Sequence, residues 1–102
     1  MPSDLRGLAD IDRLIHEPAR LALAAILSVV ESADFLYLQH ETGLTKGNLS
    51  SHLAKLEEAG YIAIEKTYRG RIPLTLVRLT DAGAAAYRAY RVRFKKFLEK
   101  TG

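Results

Sequence analysis

Between Thr45 and Lys55 the chain reads Thr-Lys-Gly-Asn-Leu-Ser-Ser-His-Leu-Ala-Lys. Leu49, Leu53 and Leu56 recur at one helical stripe, which predicts a helix over 45–59 with its leucines turned inward. On a wheel of 100° per residue, Gly47, Asn48, Ser51 and Lys55 fall opposite that stripe, with Lys46, Ser50 and His52 on its flanks. The outward groups are small enough for a partner to approach the backbone and polar enough to bond it. An asparagine amide donates and accepts side by side, which matches the edge of an adenine, so Asn48 and Ser51 suit base edges. Lys46, Ser50 and Lys55 suit phosphates, and His52, at the edge of the helix, is a further phosphate candidate. Thr45 caps the first turn, and the amides behind it are suited to an anion.

A second polar group follows in Tyr68-Arg-Gly-Arg-Ile-Pro73, a turn-forming run between two apolar segments. Arg69 and Arg71 flank Gly70, so both guanidinium groups can project from a tight loop into a minor groove or along its phosphates. Lys66 and Tyr68 can add backbone contacts. Catalytic chemistry finds no such convergence: there is no nucleophile with a base, no paired carboxylates and no phosphate cradle, and no catalytic residue is assigned. The chain has no cysteine, and His16, His40 and His52 share no close ligand spacing, so no metal site and no cofactor is expected.

These groups need elements to hold them. The chain of 102 residues, 48% hydrophobic and 26% charged, has the length and composition of one folded domain over 1–102. Leu8, Ile11, Leu14 and Ile15 recur at helical spacing before Pro18, and Leu21 to Val30 fill several faces of a second, largely buried helix. A short third helix over 35–41 is capped by Asp34 and stopped at Gly43, and the helix over 45–59 ends at Gly60. Strands at 61–66 and 74–79 make a hairpin joined through 68–73, and Thr80 or Asp81 caps a last helix of about twenty residues. The order is that of a winged helix-turn-helix: mainly α with a small β-hairpin, about five helices and a two-stranded wing.

The net charge is +3, but residues 1–40 carry −3, residues 41–60 carry −1, and residues 61–80 and 81–102 carry +3 and +4. An acidic front and a basic back suit a polyanionic partner. The longest apolar run, Leu21 to Val30, has ten residues, about half of a membrane span, and the amino terminus lacks a secretory pattern, so a cytoplasmic protein without a membrane partner is expected.

Three stretches carry a more specific likeness: Leu14-Ile-His-Glu-Pro-Ala-Arg-Leu-Ala-Leu, Leu44-Thr-Lys-Gly-Asn-Leu-Ser-Ser-His-Leu-Ala-Lys-Leu-Glu-Glu-Ala-Gly-Tyr-Ile, and Leu79-Thr-Asp-Ala-Gly. Over about residues 8 to 90 the chain resembles winged-helix transcriptional regulators of the ArsR/MarR group, in its small single-domain branch. The resemblance implies a homodimer bound to double-stranded DNA, with helix 45–59 in the major groove and wing 67–73 on the minor groove or backbone. A small-molecule effector stays open, with a pocket between the second and last helices as its place. Metal-sensing relatives use cysteine or paired histidine and carboxylate ligands, which does not fit a chain without cysteine. For the dimer, residues 1–16 and 81–100 are the expected helices, with Leu5, Leu8, Ile11, Ile15, Tyr87, Tyr90, Phe94, Phe97 and Leu98 in the seam. The alternative is a winged-helix protein-interaction module without specific DNA binding; it would need an apolar outer face on helix 45–59, where this chain has Gly47, Asn48, Ser51 and Lys55.

Overall fold

The computed structural model describes residues 10–101. In chain order the elements are α1 (Pro18–Leu27), β1 (Ala33–Asp34), α2 (Phe35–Thr42), α3 (Lys46–Glu58), β2 (Ile62–Arg69), β3 (Ile72–Leu79) and α4 (Asp81–Thr101). Each helix start is closed by the side chain in front of it. Glu17 Oε1 accepts from Arg20 N at 2.9 Å, Asp34 Oδ1 from Tyr37 N at 2.8 Å, Thr45 Oγ1 from Asn48 N at 3.1 Å, and Thr80 Oγ1 from Gly83 N at 3.0 Å. These bonds satisfy amides that have no partner within the first helical turn.

Two expectations change. Residues 10–17 form turns, not a helix. Asp12 Oδ1 accepts from Leu14 N and Ile15 N, a local bond that competes with helical pairing, and Pro18 biases the residue before it away from the helical region. The sheet has three strands in the order β1-β3-β2, all antiparallel, because Ala33 and Asp34 pair with Val77 and Leu76. A two-residue strand has too little alternation to be legible, and in the sequence Asp34 reads only as a cap. The described residues thus hold four helices and a three-stranded sheet.

The hairpin is also longer than expected. Pairing runs from Ile62↔Leu79 to Arg69↔Ile72, so the connection shrinks to Gly70-Arg71. Gly70 adopts φ +64°, the left-handed first position that a two-residue hairpin of the II′ class requires. With Arg69 and Ile72 closing the turn as a bonded pair, Tyr68 and Pro73 form a non-bonded one, and the N–H that Pro73 lacks would have pointed away from β2.

The main core joins Leu23 and Leu27 of α1, Leu38 of α2, the leucine stripe of α3, and Ile62 and Val77 of the sheet. A second cluster holds Ile11, Ile15 and Tyr90, which are 4%, 1% and 3% exposed. These three residues pack within one chain, so they have almost no surface left for the dimer seam they were assigned to; the apolar period in front of Pro18 serves the chain's own core. Leu5 and Leu8 lie outside the described residues. Past Tyr90, no described residue of α4 is buried, although Phe94 and Phe97 are half-buried. About 16 Å of helix, from Arg91 onward, therefore extends past the last buried contact.

Candidate nucleic-acid interface

The helix pair α2–α3 turns at Gly43, whose φ of +70° ends α2 while its N–H donates to Gln39 O. Leu44 then tucks against the core and Thr45 opens α3. Leu49, Leu53 and Leu56 are buried as their spacing predicts, which leaves Lys46, Gly47, Asn48, Ser50, Ser51 and Lys55 exposed on α3. A Cβ at Gly47 would meet nothing within 4 Å, so nothing in the packing demands glycine there; its effect is to keep the outer face low.

His52 departs from its assignment. Arg20 Nη1 lies 3.1 Å from His52 Nδ1, and Glu17 Oε1 lies 3.8 Å from it. A guanidinium has only donors, so Nδ1 accepts and the ring proton sits on Nε2. The imidazole is half-buried against the start of α1 and stands apart from the outward group. Glu17 is held below the usual carboxylate range, first by the Arg20 backbone N–H it caps and then, against a burial effect, by the Arg20 charge and the Ala19 backbone N–H.

On the wing, Lys66, Tyr68, Arg69 and Arg71 are all exposed, Tyr68 to 69%. Lys46, Lys55, Lys66, Arg69 and Arg71 make no ion pair within 4 Å among the described residues, so their charge is directed to solvent or a partner. Lys46 and Ser50 on α3 and Lys66 and Arg69 on the wing line one groove of about 710 Å³, floored by apolar groups including Phe35, Leu53 and Ile64. Asn48, Ser51 and Lys55 do not line it. The structure therefore brings one flank of α3 and the wing together across a cleft. That cleft lies between α2, α3 and the sheet and was not legible in the sequence, because it depends on where the hairpin lands.

A family model described as a winged helix DNA-binding domain matches residues 19–98. The chain belongs to the winged helix DNA-binding domain family. An uncharacterized protein of Methanocaldococcus jannaschii is 34% identical over 79 residues, covering 76% of this chain and 85% of that protein. Among solved structures, a transcriptional regulator homologue from Pyrococcus horikoshii OT3 superposes with a TM-score of 0.88 at 27% identity, covering 97% of both chains. A candidate MarR-family transcriptional regulator from Enterococcus faecalis V583 shares the fold at a TM-score of 0.73 and 22% identity, over 87% of this chain and 83% of that one. The winged-helix likeness read from the three motifs is thereby met. Among the described residues of this winged-helix chain, no helix is long and apolar enough to cross a membrane, and no group of three or more His, Cys, Asp or Glu side chains could hold a metal ion.

Proposed function

We propose that this winged-helix chain is a transcriptional regulator that binds double-stranded DNA as a homodimer, α3 entering the major groove and the wing lying on the adjacent minor groove or backbone. One observation carries the reading: a short polar helix face stands beside a hairpin tip whose arginines make no ion pair among the described residues. Asn48 and Ser51 read base edges, where a bidentate contact discriminates by about 1–3 kcal/mol. Lys46, Ser50, Lys55, Lys66 and Tyr68 hold the phosphates, and Arg69 and Arg71 extend that hold past the groove. Gly47 and Thr45 let the start of α3 approach, and His52 acts from behind by fixing α3 to α1.

Two recognition helices about 34 Å apart would match half-sites one helical turn apart, which the dimer supplies. Its seam draws on Tyr87, Phe94, Phe97 and Leu98, the aromatic and aliphatic groups on and beyond the last anchored turn of α4. Fluorescence anisotropy with duplexes selected from a random pool tests the reading. The log of affinity is expected to fall against log salt by about 0.9 for each neutralised phosphate, and Arg69→Ala with Arg71→Ala to lower that slope by about two on every sequence. Asn48→Ala is expected to relax preference at one base position with little change in slope. Salt-independent binding, or equal loss on all sequences from Asn48→Ala, would remove the DNA reading or the base-reading role respectively.

A further inference from the structure

The wing arginines can reach DNA together with α3 only if the hairpin leaves the body at a fixed angle. Packing on the main core ends at Ile64 and Val77; beyond them Thr67 and Leu74 are half-buried, Leu74 along the groove, while Lys66, Tyr68, Arg69 and Arg71 to Pro73 are exposed. From Ile62 to the tip is about 23 Å, so a tilt of about 5° at the root moves the tip by about 2 Å, most of a hydrogen bond's length.

The root is closed by a concentrated set of bonds around Tyr61. Its backbone N–H donates to Leu56 O at the end of α3, and its carbonyl accepts from Thr80 N at 3.0 Å where α4 begins. Thr80 Oγ1 donates to Gly60 O at 2.6 Å. Gly83 approaches so closely that a Cβ there would lie 2.0 Å from Tyr61 O. The Tyr61 ring packs against both hydrophobic clusters, and its hydroxyl donates to Asp12 Oδ2 at 2.6 Å, from the segment in front of α1. Tyr61 thus joins the end of the recognition helix and the start of the terminal helix through its backbone, and the amino-terminal turns through its side chain.

Resting on the DNA reading above, we infer that Tyr61, held by Asp12, is the positioning residue of the wing: it sets the angle between α3 and the hairpin and makes residues 10–17 part of recognition. Asp12 uses Oδ1 to hold Leu14 N and Ile15 N and Oδ2 to hold Tyr61, so the turn that orders this segment and the bond that orients the wing root share one carboxylate.

The test uses the full chain in four forms: wild type, Tyr61→Phe, Arg69→Ala with Arg71→Ala, and all three changes together. Tyr61→Phe keeps the ring and is expected to weaken binding to a selected duplex about three- to ten-fold, with a smaller salt slope. In the chain already lacking the wing arginines it is expected to add less than about two-fold, since both changes act through the same contacts. Asp12→Asn retains an oxygen for the two amides and turns an N–H toward the Tyr61 hydroxyl, so it should bind like wild type. In the free protein, residual dipolar couplings of the wing and α3 amides should fit one common alignment in wild type and two in Tyr61→Phe. An equal factor from Tyr61→Phe with and without the arginines, or unchanged wing couplings, overturns the inference. Absence of duplex binding by wild type would defeat the DNA reading itself, and the couplings would still decide whether Tyr61 orients the wing.

Discussion

Glu17 and Tyr61 show how single side chains here both hold the fold and respond to pH. Glu17 titrates lower folded than unfolded, so its contribution is present above its ordinary value of 4.5 and is lost as pH falls through the folded value. Tyr61 runs the other way. The bond it donates to Asp12, with burial and the carboxylate charge adding, pushes it up from 10.0 to about 12, so its contribution is intact below pH 10 and lost between about 10 and 12. Thermal melts across pH are expected to lose a component at each end: Glu17→Gln should flatten the acid limb and Tyr61→Phe the alkaline limb. An alkaline limb that Tyr61→Phe leaves untouched would dissociate that titration from Tyr61. At this scale the outward set on α3 was legible, because residue type and a 3.6-residue period decide it. The inward turn of His52 was not, since nothing near it in sequence announces Arg20 and Glu17, more than thirty residues earlier.

At the scale of elements, the sequence carried α1, α2, α3 and α4 through caps and stripes that each lie within a few residues, and the structure keeps every one. The misses share a cause: β1 and the turns at 10–17 are decided by partners far away or by a local bond that overrides a period. Ala33 becomes a strand because Val77 is beside it, and the apolar spacing of Ile11, Leu14 and Ile15 is satisfied by burial without a helix. Gly83 is the tightest joint between elements. Gly83→Ala forces α4 away from the wing root and is expected to destabilise the fold by about 1–3 kcal/mol, read as a lowered denaturation midpoint at unchanged m-value. Wild-type stability in Gly83→Ala would mean the helix can shift without cost. A comparable alanine at Gly47, where a Cβ meets nothing, should leave stability unchanged or raise it slightly.

The molecule measures 57 × 26 × 21 Å, and its terminal helix carries Val92, 53% exposed, and Leu98, 54% exposed, beyond the buried Tyr90. The proposed seam rests on an excess of aromatic residues at one helical sector, but the sequence did not show which of them the chain keeps for itself: Tyr90 bonds His16 at 2.8 Å and closes the chain's own second cluster, whereas Leu98 is 54% exposed. Light scattering at micromolar concentration is expected to give twice the 11.3 kDa of one chain, and Leu98→Glu to shift the mass toward one chain. A single-chain mass for wild type, with and without DNA, would remove the homodimer.

Pro73 has a consequence for the protein in a crowded cell. β1 covers β3 only at Leu76 and Val77, so from Ile72 to Thr75 the middle strand of the sheet becomes an edge, flanked by the apolar Ile72 and Leu74. Such an edge is a template for strand addition from any passing chain. Without an N–H at Pro73 the ladder cannot be extended across it, and on β2, the other outer strand of the sheet, Lys66 and Arg69 place like charges where a second wing would meet them. The same hairpin that needs a long exposed reach is thus kept from becoming the seed of an aggregate.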